Sequence, residues 1–167
     1  MYQTALKRSI PLDELLESLS RRAPNAIFLL AQKVEEQDEK CLAKLAALDR
    51  NWQYRVHRLY EDYENFDAKE GNGGFVDSLA LAKGVAKLSV VIDSAGAAVF
   101  GAGDAPHVVL QPEPSDWRYG QKDNPAPVLF DSAIYLRQEV PGSWKTPCRL
   151  ASELVAVEAL KCKERHN

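Results

Sequence analysis

The chain has 167 residues, of which 46% are hydrophobic and 27% are charged, a composition that is ordinary for one globular domain. Its formal net charge of -3 is shared between both halves and gives no large field toward nucleic acid or anionic membrane. No apolar run approaches the roughly 20 residues that span a bilayer, which excludes a membrane-spanning class. We expect a single domain over residues 1–167, with a helical part at 1–70 and a strand-rich part at 75–167.

The beginning of the sequence predicts a cytoplasmic location. Lys7 and Arg8 are followed by Asp13 and Glu14 rather than by the apolar stretch of a secretory signal. The three cysteines are an odd number at wide spacings, which suits neither a disulfide framework nor a zinc ribbon. We therefore expect reduced thiols.

The N-terminal half is predicted to be helical. Pro11 lies near the start of a first helix, acidic residues follow it, and Pro24 ends the helix by Arg22. Residues 26–70 then contain neither Gly nor Pro and are rich in strong helix formers. Apolar residues in this stretch recur every three or four positions, which predicts a long, coiled-coil-like helix, either continuous or bent near residues 49–51. They are Cys41, Leu45, Leu48, Trp52, Val56, Leu59, Tyr63 and Phe66.

A glycine-rich run at residues 71–74 marks the predicted boundary between the two parts. A helix is predicted over residues 75–87, and a second, C-terminal helix over 149–164. Between them, apolar and β-branched runs separated by turn residues predict a small antiparallel sheet that begins with a hairpin around residues 94–96. The predicted strands are residues 88–93, 97–100, 107–111 and 128–137. The fold class is therefore predicted to be α+β.

Two residue sets resemble sites for metal or acid–base chemistry. His57 and Glu61 lie four apart and could bind a metal from one helix face, although charges at this spacing are usually a solvated face. Asp93, Asp104 and His107 lie at predicted strand ends, where a carboxylate could orient a general base. Aspartate is equally common in turns, and no phosphate-binding or nucleophile motif accompanies these residues. No catalytic residue, metal ligand or cofactor is therefore predicted.

Basic residues near Trp52 offer a weaker nucleic-acid hypothesis. Arg50, Arg55 and Arg58 could contact phosphates or stack on bases. The acidic residues that follow within two turns, Glu61 among them, would repel a phosphate backbone.

A proline-rich loop at residues 112–127 contains Trp117, Arg118 and Tyr119 in succession. These residue types are enriched at binding hot spots, and prolines reduce the entropy that a loop loses on docking. An equally good interpretation is that the Trp117 ring anchors a long loop on the sheet.

These observations favour a non-enzymatic interaction or accessory protein of the inhibitor, immunity or assembly type, of bacterial or phage origin. The partner would be another protein or a second copy of the chain. The alternatives are a small enzyme with a His/Asp site on the sheet loops and a nucleic-acid-associated protein. The alternative for the helical stripe is that it forms the protein's own core, covered by the sheet and the C-terminal helix. The predicted partner-binding residues are Trp52, Val56, Leu59, Tyr63, Trp117, Arg118 and Tyr119.

Overall fold

A computed structural model describes residues 12–24, 26–30, 36–48, 56–58, 75–84, 86–121, 124–125 and 129–164. Within these ranges the fold is α+β. The helices are α1 (Leu12–Arg22), α2 (Glu36–Leu48), α3 (Phe75–Gly84), α4 (Ala95–Ala102) and α5 (Lys145–Glu164). The strands are β1 (Phe28–Leu30), β2 (Val56–Arg58), β3 (Ser89–Ile92), β4 (His107–Gln111), β5 (Gly120–Gln121), β6 (Asn124–Pro125) and β7 (Ala133–Arg137). A 3-10 turn, Trp117–Tyr119, precedes β5.

The described residues fall into two compact units. The first, which we call the sheet unit, comprises the described residues of the segment from Leu79 to Ala151. The second, which we call the flanking unit, comprises those between 12 and 78 together with 152–164. Helices α3 and α5 therefore contribute residues to both units.

The sheet unit contains a three-stranded parallel sheet in the order β3-β4-β7. Its register aligns Ser89 with His107, and His107 with Ala133. Because all three strands run the same way, the sheet has an amino edge, where the strands begin, and a carboxyl edge, where they end.

The predicted antiparallel arrangement is wrong. Residues 89–92 form a strand, but the predicted second strand at 97–100 lies within α4, so that the chain returns to the amino edge before β4 begins. Four of the eight residues of α4 are alanine, the strongest helix former. A helical crossover of this kind is the usual connection between parallel strands, whereas a hairpin would have made the pair antiparallel. The segment Ser94-Ala95-Gly96 thus begins a helix instead of a hairpin turn.

The core of the sheet unit lies on both faces of β4, whose residues are all buried. This near-continuous apolar run is typical of a central parallel strand covered on both sides. Val109 packs with Ala133 and with Ala97 of α4, so the odd-numbered residues of the strands face α4. Near the amino edge, Phe100 of α4 packs with Ala82 of α3.

The flanking unit contains α1 and α2, which contact each other, and a parallel pairing of β1 with β2. The predicted first helix is confirmed by α1. Its apolar stripe is buried at Leu15, Leu16 and Leu19.

The long coiled-coil-like helix predicted over residues 26–70 is wrong. Strand residues Phe28–Leu30 and Val56–Arg58 pair with each other, and α2 covers only Glu36–Leu48 between them. Helix propensity is a weak local preference, and a backbone ladder between two segments far apart in sequence can override it. Phe28 and Val56, which pair in this ladder, are residue types that strands favour.

The remaining elements differ from prediction mainly at their ends. α3 stops at Gly84, β7 begins at Ala133, and α5 begins at Lys145, because Pro147 is tolerated in a first helical turn. The loop predicted to be irregular contains the 3-10 turn and the short antiparallel pair β5–β6. The glycine-rich boundary at residues 71–74 lies outside the described residues. None of the described helices combines the length and the apolar character needed to cross a membrane.

Candidate functional site

Polar side chains gather at the carboxyl edge, on the face that α4 covers. Gln111 and Arg137 end β4 and β7 and are register partners. Asp93 directly follows β3, and its backbone N–H donates to Leu110 O at 3.1 Å, which continues the ladder. Because side chains alternate between the two faces, Asp93, Gln111 and Arg137 form one row, which we call the edge row. Ligands of open α/β sheets bind outside the carboxyl ends of the strands.

Tyr119 contacts two members of the edge row. Its Oη donates to Asp93 Oδ1 at 3.1 Å, and its backbone oxygen accepts a bond from Arg137 Nη2 at 3.1 Å. Its ring lies 5.2 Å from the ring of Tyr135, centroid to centroid. Burial, together with the Asp93 carboxylate, raises the pKa of both phenols. Both tyrosines are therefore neutral hydrogen-bonding groups at physiological pH.

Arg118 belongs to the same 3-10 turn but has an exposed side chain, with 46% of its surface accessible. Asp116 holds it: the Arg118 backbone N and Nε both donate to Oδ1, at 3.0 and 2.9 Å, and Nη2 donates to Oδ2 at 3.3 Å. The guanidinium also lies 5.8 Å from the Tyr119 ring centroid. The hydrogen bond to Asp116 raises the pKa of Arg118. This clamp fixes the guanidinium while it engages only part of its set of N–H donors.

Gln138 fixes the loop that leads to this turn. Its side chain is buried, and Oε1 accepts bonds from the backbone N–H groups of Glu113 at 3.1 Å and Gly142 at 2.9 Å. The loop after β4 is thereby tied to the turn after β7. The Glu113 carboxylate then lies 3.9 Å from Arg137 Nε, at the outer limit of an ion pair.

Three buried polar atoms of the carboxyl-edge region have no hydrogen-bond partner among the residues that the structure describes. They are Gln111 Nε2, Glu113 Oε2 and Ser115 Oγ. A buried group left unpaired in this way costs about 1–3 kcal/mol, and such groups are rare in folded proteins. His107 Nε2 and Ser132 Oγ, at the amino edge, are likewise buried without a partner in the described part of the chain. The carboxyl edge is the candidate site because there such groups lie beside charged side chains from more than one strand, Asp93 and Arg137.

The three residues of the alternative enzyme hypothesis, Asp93, Asp104 and His107, do not converge. His107 begins β4 at the amino edge, opposite Ser89, whereas Asp93 follows the far end of β3. Four strand residues rise roughly 13 Å, so these two side chains start from opposite edges of the sheet. Asp104 lies in the turn after α4, exposed and at a φ of 54°.

His107 has a structural role. It is fully buried, and its ring packs edge-on against Phe100 with centroids 6.1 Å apart. Nδ1 lies 2.7 Å from Ala105 O, and because a carbonyl oxygen only accepts, Nδ1 is the donor. A general base oriented by a carboxylate, as the enzyme alternative required, is therefore not formed by these residues.

Of the predicted partner-binding residues, Arg118 and Tyr119 belong to the candidate site, and Trp117 begins the same 3-10 turn. Val56 lies in β2 instead of a helix. The other three predicted positions lie outside the described residues: Trp52, Leu59 and Tyr63.

The metal and nucleic-acid hypotheses lose the helix on which they depended. His57 and Arg58 lie in β2, so that His57 does not share a helix face with Glu61. Glu61, Arg50 and Arg55 lie outside the described residues. Within the described part of the chain, no group of three or more His, Cys, Asp or Glu residues could hold a metal ion.

The sequence prediction missed Gln111, Arg137 and Gln138. The available signal was that polar residues end two apolar strands, HVVLQ and AIYLR. That signal indicates a common edge only once the strands are known to be parallel.

No protein-family model, curated protein or solved structure significantly matches this chain. Its class is therefore defined by architecture: an α+β protein with a three-stranded parallel sheet and a polar carboxyl edge.

Proposed function

We propose that this chain is a non-enzymatic interaction protein whose contact element is the 3-10 turn Trp117–Tyr119. The observation that carries the proposal is the clamp of Arg118 by Asp116, which holds an exposed guanidinium in one orientation. Arginine is among the residue types enriched at interface hot spots. A side chain that is already ordered loses less entropy when a partner binds.

The turn itself is also anchored. Tyr119 is bonded through its hydroxyl to Asp93 and through its backbone oxygen to Arg137, so the base of the turn is attached to two strands of the sheet. A rigid element that presents one exposed arginine suits a preformed contact surface.

The chemistry of the clamp favours a different protein that offers carboxylate or carbonyl oxygens. Arg118 retains N–H groups beyond those that donate to Asp116, and these groups only donate. The Arg118–Asp116 pair carries no net charge, so short-range hydrogen bonds rather than long-range attraction would select the partner. The amphipathic helix expected to contribute has no part in this proposal, because β1 and β2 interrupt it.

The experiment compares proteins that immobilised wild-type and variant chains retain from an extract of the source cells. We expect Arg118→Ala to lose a partner that the wild type retains, and its affinity for the purified partner to fall about tenfold or more, which corresponds to about 1.4 kcal/mol. Arg21→Ala is the matched control, because Arg21 is a more exposed arginine on α1 of the flanking unit. Equal retention by Arg118→Ala, or no retained protein with the wild type, would contradict the proposal.

A further inference from the structure

We infer that the carboxyl edge also binds a small neutral molecule that presents an N–H donor beside an acceptor, as a nucleobase or a primary amide does. This inference does not depend on the proposed interaction function. It rests on buried groups of the edge row and its neighbours, whereas the proposed function rests on exposed Arg118.

Gln111 supplies the fixed donor. It ends the central strand, is only 2% exposed, and its Nε2 has no partner among the described residues. The strand is paired on both sides, and Gln111 O accepts a bond from Gln138 N at 3.0 Å. The backbone that carries this amide is therefore held firmly, and an acceptor on a ligand would satisfy its N–H groups.

Glu113 supplies the complementary acceptor. Its Oε2 is buried and lies 3.9 Å from Arg137 Nε, too far for a hydrogen bond, and it accepts none in the described part of the chain. A carboxylate only accepts. The Cα atoms of residues 111 and 113 can be at most about 7 Å apart, because only two residues of chain join them. One short segment thus carries a hydrogen-bond donor and a hydrogen-bond acceptor. A ligand with an acceptor beside an N–H donor would pair with both.

The charges and rings around this pair restrict the ligand further. Asp93 and Glu113 are acidic and Arg137 is the basic residue that contacts both Glu113 and Tyr119, so these three groups sum to a net charge of -1. That sign disfavours phosphates and carboxylates. The ring of Tyr135 contacts the ring of Tyr119. An adjacent aromatic pair favours a flat ligand.

The test is a titration of isotope-labelled full-length protein with adenosine, cytidine and inorganic phosphate, followed by nuclear magnetic resonance. We expect at least one nucleoside to shift the Gln111 side-chain NH₂ signals and the Glu113 amide, with a dissociation constant on the order of 1 mM or below. Phosphate should shift neither. No shift with either nucleoside, or equal shifts with phosphate, would overturn the inference.

Variants locate the binding. Gln111→Leu keeps the side chain's approximate size but removes its donors, and we expect it to weaken binding at least tenfold. Ser132→Ala is the matched control, because Ser132 Oγ is also buried without a partner among the described residues but lies just before β7, at the amino edge. Unchanged binding by Gln111→Leu would refute the inference.

A second variant covers the case in which Gln111→Leu does not fold. Glu113→Met removes both acceptor oxygens and keeps an unbranched side chain of similar length, and we again expect binding to weaken at least tenfold. Unchanged binding would refute the inference. Arg21→Ala, on α1 of the flanking unit, should bind the nucleoside as the wild type does.

Discussion

The two edges of the parallel sheet bury polar groups in different ways. At the amino edge, His107 packs edge-on against Phe100 and donates through Nδ1 to the backbone of Ala105, while its buried Nε2 has no hydrogen-bond partner among the described residues. At the carboxyl edge, Asp93 and Arg137 are joined through Tyr119. An isolated buried histidine thus serves the fold, whereas charged groups from several strands that share one loop form a candidate site.

The connections of the chain explain this difference. α4 ends at the amino edge and packs its apolar last turn there, which leaves little room for polar side chains. At the carboxyl edge, β4 is followed by a long loop that returns Tyr119 and Glu113 to the edge row. Loops beyond strand ends can carry polar groups without disturbing the core.

The largest expected loss of stability is at the amino edge and tests whether apolar packing holds that edge together. Phe100→Ala should destabilise the protein by about 3–5 kcal/mol, because it removes a buried ring and leaves a cavity beside His107 and Ala82. Urea unfolding followed by circular dichroism measures this loss. A loss below about 1 kcal/mol would show that the amino edge is not packed as described.

A smaller loss of stability is expected at Gly101, one of two glycines near opposite ends of α4. A Cβ on Gly101, near the amino edge, would overlap the ring of Phe130, whereas a Cβ on Gly96, near the carboxyl edge, would have Ser94 Oγ as its nearest neighbour at 3.5 Å. Overpacking costs about 1–3 kcal/mol, and alanine recovers up to about 1 kcal/mol of helix propensity. Gly101→Ala should therefore destabilise by about 1–2 kcal/mol.

Gly96→Ala is the matched control, since it gains the same methyl group in the same helix. It should be neutral or slightly stabilising, and unfolding of the two variants side by side provides the measurement. If both variants were equally stable, the close contact between α4 and Phe130 would be disproved.

The sequence locates several elements but not their pairing. β4 was predicted with its observed bounds because its apolar run is local, and α1 because its leucines repeat at helical spacing. Whether β3 and β4 are parallel or antiparallel depends on whether residues 94–102 form a helix or a hairpin turn. The small residues of that stretch suit both. The β1–β2 ladder joins distant segments, so the propensities of residues 26–70 could not reveal it.

The candidate site was predictable only in part. Residue type alone identified the 117–119 turn, because aromatic residues and arginine are enriched at contacts. The partners of that turn, Asp93 and Arg137, come from strands that the register brings together. The same register separates Asp93 from His107, which local sequence had suggested as one set.

The smallest effect expected concerns the anchor of the turn. Tyr119→Phe removes the bond to Asp93 and should cost about 1 kcal/mol near neutral pH, much less than Phe100→Ala. The pKa of the Tyr119 phenol is raised in the fold above its unfolded value of about 10. Its stabilisation is therefore complete below about pH 10 and is lost as the pH rises toward the folded pKa, because the unfolded chain ionises first.

Urea unfolding of wild type and Tyr119→Phe between about pH 7 and pH 11 measures this loss. The difference in stability should be constant up to about pH 9 and should shrink above pH 10. The raised pKa of Tyr135 is present in both proteins, so its contribution largely cancels. A difference that stayed constant through pH 11 would show that the Tyr119 hydroxyl does not hold the turn through Asp93, and the carboxyl edge would then lose the anchor that makes it a preformed site.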